Sequence, residues 1–192
     1  MFMDTIQKYM VRDPNYNYDW SSCYDYITLP VEPKIFSALR LNMSGGFVED
    51  IKKIVKVHNP CLYSHFLIKK AEYETRGPVH IKMLYHDTAE SKVDSILKTN
   101  LDWRRVFRAK YGHGVSFSSD PHYASIYSAR SNGYDRAMIV ADVLIGRSIE
   151  VYNSTTLPPN NYDTTVGNGA KVYVKFYDNE FFPTHIIYYT KR

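Results

Sequence analysis

The chain has 192 residues, of which 44% are hydrophobic and 15% aromatic, enough apolar material for one domain with a buried core and a short extension. Its 24 basic and 20 acidic residues leave a net charge of +4 with no clustered Lys/Arg tract, so nucleic acid is not a leading partner. Two cysteines without CxxC spacing, Cys23 and Cys61, argue against a disulfide framework or a thiolate zinc site and for an intracellular protein. No signal-peptide core and no apolar run of bilayer length is visible, so no membrane partner is expected.

Residues 1–30 are rich in Tyr, Asn and Asp, with Tyr9, Tyr16, Tyr18, Trp20, Tyr24 and Tyr26 around Pro14. No period of two or 3.6 is sustained there, which predicts an irregular arm docked through its rings. From Val48 the apolar residues Ile51, Ile54 and Val55 recur at helical steps and predict a helix. Asn59-Pro60 breaks it, and a second helix follows through Leu62, Phe66 and Leu67 to Tyr73. His58, Cys61 and His65 have spacings that could face one metal, but Pro60 bends the path and no fourth ligand is nearby. A structural role is preferred for them, and no metal is expected.

Past Gly77-Pro78, residues 80–86 alternate, with Ile81, Met83 and Tyr85 on one face of a predicted strand. Residues 88–100 carry Val93, Ile96 and Leu97 at helical spacing, which leaves His86 where a strand meets a helix. A basic connector, residues 101–110, leads to YGHGVSFSSDPHYASIY at 111–127. Here Gly112 and Gly114 are spaced to let backbone approach a ligand, Val115 to Phe117 alternate as a strand, and Asp120-Pro121 opens a helix. Residues 137–145 are almost continuously apolar, as in a central strand. Residues 152–170 are polar, with Pro and Gly, and predict one long loop. Strands are expected at 171–176 and 184–189, with Pro183 in the connector before the second. The pattern is that of an α+β domain with a largely antiparallel sheet.

No GxGxxG after a strand, P-loop, GxSxG or HExxH is present, which sets those enzyme classes aside. The ordered set LYHDT at 84–88, NLDWR, YGHGVSFSSDPHYASIYS, AMIVADVLIG, YDTTV, KVYVKFYD and FPTHIIYY resembles the catalytic domain of the poly(ADP-ribose) polymerase family. It is most similar to the mono-ADP-ribosylating branch of CCCH zinc-finger, TCDD-inducible and macrodomain-containing members. The resemblance covers roughly residues 30–190 and implies an ADP-ribosyltransferase-type split, mostly antiparallel β-sheet with preceding and flanking helices. It divides the chain into the arm, 1–30, and a catalytic-type domain, 31–192. It also implies NAD+ as co-substrate, transfer of ADP-ribose to a protein acceptor that can be the chain itself, and location in the nucleus, the cytoplasm or both.

By the same resemblance His86 matches the motif histidine that hydrogen-bonds the adenosine ribose, and a neutral imidazole suits sugar hydroxyls. Tyr127 matches the tyrosine that stacks on nicotinamide, where a π face suits a cationic ring; packing into the core is the alternative for it. Asp87 and Thr88 follow the motif histidine, Gly112 and Gly114 admit the ligand, and Arg104, with Arg105, is placed to reach the pyrophosphate.

Three departures stand out. Asp87 replaces the usual glycine whose backbone grips the carboxamide, and its side chain is expected to crowd the site with negative charge. Ser116 replaces the usual tyrosine that walls the nicotinamide ribose. Ala124 replaces the usual serine, with the hydroxyl of Ser125 one residue away. Val172 falls where polymer-forming members carry a glutamate that orients a ribose hydroxyl, so chain elongation is not expected. The resulting expectation is a mono-ADP-ribosyltransferase. The alternative is a weakened pseudoenzyme that binds NAD+ or a protein partner without turnover.

Overall fold

The computed structural model describes residues 26–44, 48–107, 109–128, 133–152 and 157–191. Most of the predicted arm therefore lies outside the described residues. In chain order the elements are β1 (Ile27–Pro30), α1 (Pro33–Asn42), β2 (Val48–His58), α2 (Pro60–Glu74), β3 (His80–Ala89), α3 (Val93–Thr99), β4 (Val115–Ser118), α4 (Pro121–Tyr127), β5 (Asp135–Ile145), β6 (Ser148–Glu150), β7 (Thr164–Gly167), β8 (Val172–Lys175) and β9 (Phe181–Lys191). The described strands form one sheet in the order β1-β2-β9-β5-β3-β4-β8-β7-β6, antiparallel except for the pair β6 and β7. This is the α+β, mostly antiparallel architecture expected.

The predicted helix over residues 48–58 is instead β2, which pairs with β9 along most of its length. Register shifts fall between Val48 and Asp50 and between Ile51 and Lys53. Each bulge adds one residue and resets the alternation, so Val48, Ile51 and Ile54 share one face and pack in one cluster, while Val55 and Val57 pack on the other. The three-residue spacing that imitates a helix is the signature of two bulges. Asn59 then starts α2: its side chain accepts from Leu62 N at 2.9 Å and Pro60 occupies the first turn.

Three smaller corrections follow from pairing across the sheet. Strand β3 runs on to Ala89, so helix α3 begins only at Val93, after a 3-10 turn at Glu90–Lys92. The long polar loop is interrupted by β7, whose Thr164 and Thr165 are fully buried. Pro183 lies inside β9, at a register shift against β5, a place where a missing N–H is tolerated.

Alternation on β5 divides the core. Ala137, Ile139, Ala141 and Val143 pack with Val93, Ile96 and Leu97 of α3 on one face. Met138 and Val140 pack with Leu39 of α1 and Ala124 of α4 on the other. Helix α2 covers Leu144 and Phe182 with Leu62, Phe66 and Tyr73.

One buried polar group braces the far end of β8. Lys175 Nζ donates to Asp163 Oδ1 at 2.9 Å and Thr164 Oγ1 at 2.8 Å and lies 3.3 Å from Glu180 Oε1. Glu180 in turn accepts from the Tyr73 hydroxyl and from the N–H groups of Phe176 and Tyr177. Burial pushes Lys175 down to about 8, opposed by Asp163, and Glu180 up to about 8, opposed by the N–H groups of Tyr177 and Phe176. Lys175→Met leaves the buried Glu180 and part-buried Asp163 carboxyl groups without their cation and should cost about 3 kcal/mol in chemical denaturation, whereas Lys171→Met on the surface should cost well under about 1 kcal/mol.

Candidate active site

Two half-sheets meet at a seam. Strand β3 pairs with β5 through ten residue pairs, His80↔Ile145 to Ala89↔Arg136, but with β4 only at Tyr85↔Ser118. Beyond that point the ladder between β3 and β4 is not continued, which divides the sheet into β1-β2-β9-β5-β3 and β4-β8-β7-β6. His86 is the next residue along β3. Its Nδ1 lies 2.9 Å from the carbonyl oxygen of Ser116 on β4, so a side chain spans the seam where the backbone ladder stops.

That contact sets the tautomer. A carbonyl only accepts, so Nδ1 carries the proton and Nε2 presents a lone pair, the form that receives a hydroxyl proton. The ring is part-buried and meets Phe117 edge-on at 5.9 Å between centroids. Burial holds its pKa below the ordinary 6.5; Arg136 and Lys92 push the same way, and the Ser116 bond pushes back. His86 is therefore neutral at pH 7. Ser116 itself is exposed on β4, and Thr88 is buried.

Helix α4 lies across the seam. Asp120 caps it, accepting from His122 N at 2.9 Å and Tyr123 N at 3.4 Å, with Pro121 in the first turn. Ala124 packs against the Tyr85 cluster of one half-sheet, and Tyr123 against Val172, Val174 and Phe176 of the other. Tyr127 is 56% exposed and stacks on Tyr123 with centroids 4.3 Å apart and planes 28° from parallel. Burial and the neighbouring Tyr127 and Tyr111 push the Tyr123 phenol up to about 12, so it stays protonated.

The Asp87 carboxylate lies on the face of β3 that α4 covers. Successive β3 side chains alternate, and Asp87 turns to the face opposite His86, where it is buried against Arg136 at 2.5 Å and accepts from the Tyr189 hydroxyl at 2.9 Å. Burial pushes this carboxyl above its usual range while Arg136 and Tyr189 pull it back. Ser125 is also fully buried, its hydroxyl 3.2 Å from Tyr189 Oη. It faces the core and does not replace the hydroxyl that Ala124 lacks.

The glycines answer to the chain itself. Gly112 has φ +139°, and a Cβ there would meet the Phe176 ring at 2.5 Å; a Cβ on Gly114 would collide with the Lys175 carbonyl. The space read as room for a ligand is filled by β8 and its following residue. Arg104 is held by Asp178 at 3.1 Å and Asp102 at 2.8 Å, and Arg105 lies 3.5 Å from Asp102. These carboxylates compete for the guanidinium groups expected at a pyrophosphate. Val172 is buried at 6% exposure and pairs with Ser118 and Gly167.

His58 is buried and His65 exposed, and among the described residues no group of three or more His, Cys, Asp and Glu could hold a metal. A groove of about 920 Å³ around Lys69, Tyr73, Arg76 and Arg147 contains none of the residues at the seam. The sequence pattern did not single out Arg136 or Tyr189. A signal existed for the first: Arg136 heads the apolar run of β5, where a charge calls for a buried partner.

Nitrogen-edited NMR at pH 7 should show His86 as the Nδ1–H tautomer, with a titration midpoint below 6.5. Whatever stability the neutral ring contributes is present above 6.5 and is lost as pH falls through the depressed midpoint. A midpoint at or above 6.5 would contradict this environment.

A family model for the poly(ADP-ribose) polymerase catalytic domain matches residues 36–184. The chain is 29% identical over 170 residues to the protein mono-ADP-ribosyltransferase PARP11 of Mus musculus, covering 71% of this chain and 51% of that protein. It is likewise 29% identical over 170 residues to PARP11 of Homo sapiens, covering 71% and 50%. The chain thus spans about half the length of these curated relatives. No described helix is long and apolar enough to cross a membrane. With the matched region running from α1 into β9 and the seam residues His86, Tyr127 and Val172 inside it, this chain belongs to the poly(ADP-ribose) polymerase catalytic domain family.

Proposed function

We propose that this domain binds NAD+ at the seam and transfers a single ADP-ribose unit to a protein side chain, its own or that of another chain, with release of nicotinamide. The observation that carries this is His86, held by the Ser116 carbonyl as a neutral ring with a free lone pair at Nε2. It is supported by the family match and by the activity for which the PARP11 relatives are named.

NAD+ supplies an activated glycosidic bond whose leaving group, nicotinamide, departs neutral with the bonding pair. The chain's task is to hold the ring and the ribose while positive charge develops on the sugar. His86 Nε2 accepts from a ribose hydroxyl, and Tyr127 offers a π face to the pyridinium. Val172, in the apolar cluster of Val174 and Phe176, has no group to activate a ribose hydroxyl of a bound unit, so the reaction ends at one transfer.

A second reading, binding without turnover, is favoured by two observations. Ser116 is a small, exposed residue where the family pattern has a tyrosine, and one face of Tyr127 is already taken by Tyr123. Incubation with NAD+ labelled in the adenylate separates the two readings. The expected result is label on the chain or on lysate proteins in single units, reduced about 100-fold by His86→Ala. Absence of transfer by the native chain together with transfer by Ser116→Tyr would establish the second reading instead; calorimetry with NAD+ then tells a nucleotide binder from a protein-interaction module. Val172→Glu should lower stability by about 2 kcal/mol or more, because the new carboxylate is buried among apolar side chains, as thermal denaturation would report.

A further inference from the structure

Arg136 is fully buried, at 1% exposure, on the first turn of chain into β5, and its charge faces the equally buried carboxylate of Asp87. Both partners do more than neutralise each other. The Arg136 Nη2 that contacts Asp87 Oδ2 also donates to the hydroxyl of Ser128, the residue that closes α4. Asp87 Oδ1 accepts from Tyr189 of β9, and Tyr189 Oη also lies 3.2 Å from Ser125 Oγ within α4. Lys191 Nζ, from the same strand, donates to the Ser125 carbonyl at 2.5 Å. Three strands of one half-sheet, β3, β5 and β9, are thereby fastened to the last turn of α4.

That turn needs fastening. Helix α4 has seven residues, too few to hold a fixed pose without tertiary contacts, and Tyr127 is on its final turn with its ring largely in solvent. The Arg136 Nε is buried without a hydrogen-bond partner among the described residues, so the guanidinium is compensated through Nη2, at the point shared by Asp87 and Ser128. Asp87 adjoins His86 in sequence, and the same tie that orders the end of α4 therefore also bears on the backbone of β3 at the seam.

We propose that Arg136 is a positioning residue for the nicotinamide end of the site, fixing the last turn of α4 against β3 through Ser128 and Asp87 and so setting the ring plane of Tyr127. The proposal rests on the reading of the seam as an NAD+ site. It gives the acidic residue after His86 a role, since the carboxylate is the anchor that keeps Arg136 buried beside α4. A pair that merely stabilises the fold would change melting without moving Tyr127.

The test uses the full chain with 3-fluorotyrosine placed at position 127, whose fluorine shift senses its stacking on Tyr123. Arg136→Met, Ser128→Ala and the double variant Asp87→Gly with Arg136→Met are compared by fluorine NMR, by the KM and kcat for NAD+, and by melting. Arg136→Met should move the fluorine resonance and raise KM about tenfold with a smaller change in kcat. The double variant, which removes both buried charges together, should recover most of the melting temperature but keep the displaced resonance and the raised KM, because the tie to Ser128 is still missing. Ser128→Ala, which leaves the ion pair matched and the fold intact, should move the resonance in the same direction and raise KM about threefold.

An unmoved resonance and native KM in folded Arg136→Met overturn the proposal. Should that variant fail to fold, an unmoved resonance in Ser128→Ala overturns it equally. If the native chain turns over no NAD+, the functional reading falls while the resonances still decide whether Arg136 positions Tyr127.

Discussion

Everything at the candidate site depends on an interruption of backbone pairing. Strands β3 and β4 share a single residue pair, Tyr85↔Ser118, where flanking strands of the sheet share four to ten. A sheet interrupted in this way loses a row of hydrogen bonds, and buried backbone groups must find other partners. The chain responds with side chains and a helix: His86 reaches the Ser116 carbonyl, and α4 lies across the gap with apolar contacts to both halves. The seam is consequently lined by groups whose geometry is set from outside it.

Charge is handled by the same logic. Asp87 stands beside the motif histidine, where a carboxylate free at the seam would oppose a nucleotide bearing phosphates. Strand alternation sends it through the sheet to Arg136, and the desolvated pair becomes a strut holding α4. Lys175, Asp163 and Glu180 form a second buried group that ties β8 to the loop after β6 and to α2. The first brace lies within the half-sheet of β3, β5 and β9, whereas the second crosses from β8 to the other half through Glu180 and α2.

Much of this was legible in the residues. The alternation of β3, the apolar run of β5, the Asn59-Pro60 start of α2 and the Asp120-Pro121 start of α4 are local signals with local causes, and the structure has those elements where they point. Strand β2 was not legible, because its two bulges place Val48, Ile51 and Ile54 at helical intervals and only the ladder with β9 resolves the ambiguity. Strand β7 was hidden by polar composition; Thr164 and Thr165 are strand residues by virtue of burial beside β8.

The sequence by itself determined the family, through the order of short motifs from residue 84 to residue 189, and the chemical types available at the seam: an imidazole, an aromatic ring and no carboxylate at position 172. Only the tertiary structure decided which way those groups face. Gly112 and Gly114 proved to make room for Phe176 and the Lys175 carbonyl, Ser125 turned toward Tyr189, and Asp87 turned toward Arg136. The physical reason is that residue type specifies what a group can bond to, whereas its partner is set by contacts between residues far apart in the chain, as with Asp87 and Tyr189.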